Sequence, residues 1–289
     1  MNRILPLLAL AATLPLTTAA SAQDHPLYIG QGNHVTLALG VGLAGQPDSD
    51  LVSLQPTLEA RFAIAPSLGL QLVVPTMFVD LSTGSDGATR FEIANPSVAL
   101  EVLLDTGPGT IEMLRFGVAM PVLSRPDGVS LDAFGDTLMQ AVNVTMATGA
   151  RGLFDMWRYA PDTLSLFAEF QATSDHDGVF LDFRGAVGLL IPTADSSEAE
   201  FTVQALGRVG FGSVVRPFAG LGVVLIPTKT VGLSGENDAF QFGLQAGLLF
   251  ALGGARIDAY AQINIDRPAG FSFDDNGIFG MHIAATLPF

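Results

Sequence analysis

Apolar side chains recur at every second position through segment after segment of this chain. No stretch after Leu16 reaches the roughly 18 consecutive apolar residues that a membrane-crossing helix needs. Val35, Leu37, Leu39, Val41 and Leu43 oppose Thr36, Ala38, Gly40 and Gly42. Phe240, Phe242, Leu244, Ala246, Leu248 and Phe250 oppose Gln241, Gly243, Gln245 and Gly247. Phe279, Met281, Ile283, Ala285, Leu287 and Phe289 oppose Gly280, His282, Ala284, Thr286 and Pro288. A period of two is the side-chain repeat of a β-strand, one face against the other.

Composition says what those two faces meet. Mean hydropathy is +0.44, and 14% of the 289 residues are charged. A soluble β-sandwich needs more charge on its outer faces. Apolar content spread by alternation, with 32 glycines, suits a sheet with lipid on one side and a polar lumen on the other. The net charge of −15 argues against nucleic acid, whose phosphates require a basic surface. The absence of cysteine removes disulfides, thiol nucleophiles and thiolate metal sites.

The final segment, IFGMHIAATLPF with its terminal Phe289 and preceding Leu287, resembles the C-terminal strand of bacterial outer-membrane barrels. The resemblance implies recognition of those residues by the outer-membrane assembly machinery. It also implies a place in the outer membrane, with lipid and lipopolysaccharide as neighbours. At the other end, Arg3, the apolar run Ile4–Leu16 and Ala20-Ser21-Ala22 read as a signal peptide over residues 1–22, cleaved before Gln23. Residues 23–289 then form a single barrel domain.

The expected fold is an all-β, antiparallel, up-and-down transmembrane β-barrel of about twelve strands. The strands fall at roughly 34–44, 52–65, 67–79, 90–104, 111–123, 163–173, 179–192, 199–212, 214–227, 238–252, 255–265 and 278–289, with ends uncertain by about 2–4 residues. Alternation changes phase between Ile93 and Val98, so a bulge is expected at Asn95-Pro96. Pro75, Pro121, Pro192 and Pro227 each follow an apolar strand and precede a polar loop, which suits a rim. If all four rims coincide, residues 129–160 cannot cross. They are then a long outer loop, helical near 131–148, that folds into or over the barrel. A strand at 137–149 would instead demand about fourteen strands. The loop ends in Trp157-Arg158-Tyr159-Ala160-Pro161-Asp162-Thr163-Leu164, which resembles a segment of outer-membrane transporter families and implies aromatic rings in an interfacial belt.

Parity also assigns the lumen. Its charged residues include Glu59, Arg61, Glu101, Arg115, Glu169, Asp182, Arg184, Arg208, Arg256 and Asp258, with Glu92, Glu200 and Arg216 beside them. These are candidates for a solute path or for a mutually paired structural network. The near balance of sign disfavours a one-sign selectivity ring, and arginine suits geometric pairing. Inward glycines, among them Gly42, Gly188, Gly222, Gly243 and Gly280, leave room for water, a ligand or the inserted loop. Loop acids such as Asp80, Asp136 and Glu198 serve solubility, or bridge to lipopolysaccharide through divalent cations.

No catalytic set emerges. His34 and His282 both point inward but should lie about 20 Å apart at about 3.3 Å per residue, and neither HExxH nor GxxxxGK[ST] occurs. The chain is therefore read as non-enzymatic, with no cofactor and no resident metal. Passive passage of a small solute down its gradient is the leading functional expectation. A closed barrel with a structural or surface-interaction role is the alternative, and a soluble ligand-binding barrel comes third.

Overall fold

The computed structural model describes residues 32–46, 49–83, 86–105, 109–126, 131–194, 198–225, 240–252, 254–265, 271–273 and 277–289. The expected signal peptide and Pro227 lie outside them, whereas the loop acids Asp80, Asp136 and Glu198 lie within.

The strands are β1 (His34–Gln46), β2 (Ser49–Ala65), β3 (Leu68–Thr83), β4 (Asp86–Ile93), β5 (Ser97–Asp105), β6 (Thr110–Ala119), β7 (Thr163–His176), β8 (Val179–Pro192), β9 (Glu200–Phe211), β10 (Val215–Leu225), β11 (Phe240–Leu252), β12 (Ala255–Asn264) and β13 (Ile278–Pro288). Among the described residues one helix, α1, spans Leu131–Gly149, and a short 3-10 turn covers Met156–Arg158. Among the described residues twelve strands form a closed antiparallel ring, with β4 as an extra strand outside it. Closure comes from β1 pairing with β13, His34 opposite Pro288 and Leu43 opposite Phe279. A closed ring leaves no unpaired edge, which is what hydrocarbon surroundings require of a sheet.

The alternation partitions as expected. Leu58, Leu72, Leu100, Phe116, Leu166 and Leu244 are exposed on the outer face. Gln55, Arg61, Gln71, Glu101 and Glu169, at the intervening positions or their cross-strand partners, are buried within. Aromatic rings sit at the strand ends on the outer face, as Phe91 and Phe201 do at one end and Phe211 and Phe289 at the other. Phe289 meets Phe62 edge-on at 6.1 Å.

Two local expectations change in detail. The break near Asn95 is wider than a bulge. Ala94, Asn95 and Pro96 leave the sheet, so β3 pairs with β4 along one half and with β5 along the other. Pro75 does not end its strand, because β3 continues to Thr83. Pro75 lies where the partner of β3 switches between β5 and β4, so its missing N–H interrupts no ladder bond on that side. Its carbonyl accepts from Ala94 N at 3.0 Å. Pro192 does close its strand, and Pro121 follows the end of β6.

Candidate functional site: the inserted segment and its charged wall

Residues 131–160 do not cross the barrel wall. Instead α1 descends from the end opposite the chain terminus, and the residues after it run through the lumen. All of residues 152–160 are buried, with Leu153, Trp157 and Tyr159 at 0% exposure. The inner wall is cut to receive them. A Cβ at Gly42 on β1 would lie 3.0 Å from the Ala150 methyl, one at Gly188 on β8 would lie 2.9 Å from the Trp157 ring, and one at Gly222 on β10 would lie 2.6 Å from Phe154. A Cβ at Gly280 on β13 would collide with the Ala150 carbonyl. These four strands lie around the ring, so the inserted segment touches the wall on several sides at once.

The aromatic segment therefore differs from the sequence expectation. Trp157 and Tyr159 are not in an interfacial belt; they are inside the barrel. Trp157 stacks on Phe167 at 5.2 Å with 9° between the ring planes. Tyr159 packs with Met77, Ala94, Leu123, Val144 and Ala147. The physical reason is the Asn95 latch. The buried Asn95 amide donates to the Trp157 and Ala160 carbonyls at 3.2 and 2.6 Å, and its oxygen accepts from Leu123 N at 2.9 Å. One side chain thus ties the β4–β5 junction to the end of the inserted stretch and to the segment that precedes α1.

Polar bonds hold the rest. Asn264 Nδ2 donates to the Gly149 carbonyl at 2.8 Å, and His282 Nε2 donates to the Ala150 carbonyl at 2.7 Å. Gln204 Oε1 accepts from Asp155 N at 3.1 Å. Glu92 accepts from Gln140 and Asn143 of α1 at 2.7 and 3.0 Å. Gly152, Leu153 and Asp155 have φ of 63°, 64° and 57°. Left-handed backbone is costly for a leucine, and it persists where the surroundings impose it.

The charged lumen residues form a ladder of alternating sign along neighbouring strands. Arg61 on β2 pairs with Glu101 on β5, which also takes Arg115 on β6 at 2.7 Å. Arg115 continues to Glu169 on β7, and Glu169 to Arg184 on β8. Arg184 then leaves the wall and grips Asp155 of the inserted segment. A second group joins Arg208 to Asp182 and to Asp258 (3.4 Å), with Arg256 on Asp258 at 3.0 Å. Glu59 lies on the same inner face, where Gln71 donates to it at 2.7 Å. All ten charged candidates thus face the lumen in pairs or hydrogen bonds.

Below the inserted segment, Arg208 lies 5.4 Å over the Phe218 ring and Arg216 lies 5.9 Å over Phe180. Tyr260 stacks on His282 at 4.7 Å. His34 opposes Pro288 whereas His282 opposes Gly40, so the two histidines stay far apart along the strands.

Sequence reasoning passed over Asp155, Arg151 and Arg158. All three lie in the loop and have no strand parity to reveal them. Arg151 Nη2 and Arg158 Nη2 approach Asp155 Oδ2 at 3.7 and 3.6 Å. Burial alone would raise the Asp155 carboxyl. The guanidiniums of Arg158, Arg184 and Arg151 more than offset it and hold that carboxyl well below the ordinary carboxylate range. The available signal was three charges within eight residues of otherwise apolar loop.

Among the described residues no cluster of histidines and carboxylates could hold a metal. No protein-family model matches the chain, and no curated protein sequence matches it. Two of the solved structures that share its architecture are an outer-membrane channel and a porin. The COG4313 outer-membrane channel from Pseudomonas putida F1 is 10% identical over 96% of this chain and 99% of its own, with a TM-score of 0.56. The NanC porin is 6% identical over 88% of this chain and 100% of its own, with a TM-score of 0.51. At such identities the likeness is one of fold. The chain has the fold of a bacterial outer-membrane β-barrel.

Proposed function

We propose that this protein is a passive conduit for a small solute across the bacterial outer membrane, closed at rest by its own inserted segment. The observation that carries the reading is the nature of the plug's attachment. Residues 149–160 are buried apart from the partly exposed Arg151, and beside the apolar packing of Leu153, Trp157 and Tyr159, side-chain amides, one imidazole and ion pairs join them to the wall. Water or a polar solute can replace those polar partners one at a time. The architecture shared with an outer-membrane channel and a porin supports the same reading. No bond-making step is assigned to the lumen. In this reading Phe289 and Leu287 serve barrel assembly, and the first 22 residues serve export.

A closed structural barrel is the second reading, and the filled lumen favours it. Planar-bilayer recording of the refolded mature chain separates the two. A gated conduit gives a mostly closed trace with discrete, reproducible openings. Stable insertion that never conducts at any applied voltage contradicts the conduit and leaves the structural barrel.

A further inference from the structure

Among the described residues, guanidiniums outnumber the carboxylates paired with them where the plug meets the wall. Five guanidiniums (Arg61, Arg115, Arg184, Arg151 and Arg158) are joined in one network to three carboxylates, Glu101, Glu169 and Asp155. The two members without carboxylates of their own are on the inserted segment. Arg151, Arg158 and Arg184 all lie within 3.7 Å of the single oxygen Asp155 Oδ2, Arg184 at 3.3 Å. One oxygen cannot satisfy three planar forks, each of which presents a pair of parallel donors. Accordingly, the Nε atoms of Arg151, Arg158 and Arg184 are buried and have no acceptor among the described residues.

An independent feature points to the same place. Gln204, 3% exposed, presents its oxygen to Asp155 N. Its Nε2, also buried, has no acceptor among the described residues. The surroundings of Asp155 thus hold more buried donors than its two oxygens can serve.

We propose that this cluster is a binding site for a small organic carboxylate, which competes with Asp155 for Arg151, Arg158 and Arg184. Asp155 is an internal carboxylate already seated on the guanidiniums, so the site's geometry is selected for that group. A solute carboxylate that takes the second edge of Arg151 or Arg158 weakens the Asp155 contacts and loosens the plug from Arg184. The solute is thereby both cargo and key. This assignment rests on the closed-conduit reading and names its substrate class.

The chain carries a single tryptophan, Trp157, adjacent in sequence to Arg158 and fully buried in the plug. Its fluorescence reports the site directly. Cyclohexanecarboxylate is titrated into the full-length mature protein in zwitterionic detergent at fixed ionic strength, with the neutral cyclohexanecarboxamide as comparison. The acid is expected to give a saturable Trp157 response and the amide none. Arg158→Gln is expected to weaken the response at least tenfold. Asp155→Asn, which removes the internal competitor, is expected to strengthen it about tenfold. The opposite signs keep the test valid if one variant fails to fold. Equal responses to acid and amide, or no saturable response to the acid, overturn the site. Because binding is read without current, a barrel that never conducts but binds the acid sinks the conduit alone. A conducting barrel whose Trp157 ignores the acid sinks the site alone.

Discussion

The carbonyl of Ala150, at the start of the buried run, accepts a hydrogen bond from Nε2 of His282 on the last strand of the barrel at 2.7 Å. The bond joins the plug to β13, the strand whose pairing with β1 closes the ring. Replacing His282 by Phe keeps a ring against Tyr260 but leaves that buried carbonyl unpaired, at a cost of about 1–3 kcal/mol. H282F is expected to lower the temperature at which the folded barrel loses its compact electrophoretic mobility, and to raise open probability in bilayers.

Four inner glycines, Gly42, Gly188, Gly222 and Gly280, leave space for the plug, and one outer glycine provides the contrast. Gly280→Ala places a methyl where the Ala150 carbonyl lies, so the plug must shift. Gly207 on β9 is exposed, and a Cβ there meets nothing within 4 Å. G280A is expected to destabilise the closed state and increase current, while G207A changes stability by no more than about 0.5 kcal/mol. Equal behaviour of the two variants would remove the argument from the glycine pattern.

Arg115 stands between two carboxylates, Glu101 and Glu169. Arg115→Met leaves both without that partner in a buried wall, and removal of one member of a buried pair costs about 3–5 kcal/mol. Urea titration of folded protein in liposomes should show the loss. A change below about 1 kcal/mol would mean that water in the lumen screens the ladder.

The pH dependence of closure follows from Asp155. Its carboxyl is held below the ordinary range by Arg158, Arg184 and Arg151 against the opposing effect of burial. A depressed carboxylate contributes its full stability above its unfolded value of about 3.9. The contribution falls between that value and the lower folded value, and vanishes below it. The Asp155 contribution to closure is therefore expected to be flat above about pH 5 and to be lost only in stronger acid. Asp155→Asn should flatten that acid limb. A transition near pH 6.5 would instead implicate a histidine.

The wall was legible in the sequence because alternation encodes it directly: Phe240 through Phe250 oppose Gln241 through Gly247 in the barrel as they do on paper. The helix at 131–149 followed from counting passes across the membrane, since its own apolar spacing admitted a strand as well. What could not be read was tertiary. Trp157 and Tyr159 carry no period that distinguishes a lumen from an interface, and their place is set by Asn95, more than sixty residues away. Pro75 looked like a rim because its mid-strand tolerance depends on a gap between two partner strands. The ladder's members were named from parity. Their order, and the role of Asp155 as its last rung, required the register and the fold of the loop.

The central claim is that the inserted segment is a gate. Its most direct test is a reversible lock in this cysteine-free chain: Gly42→Cys on β1 with Ala150→Cys on the plug. A Cβ at Gly42 would lie 3.0 Å from that of Ala150, within an ångström of the roughly 3.8 Å typical of a disulfide. In planar bilayers the oxidised protein should insert and remain closed, and reductant should restore discrete openings on the same channels. Equal currents before and after reduction, or silence in both states, would contradict the account.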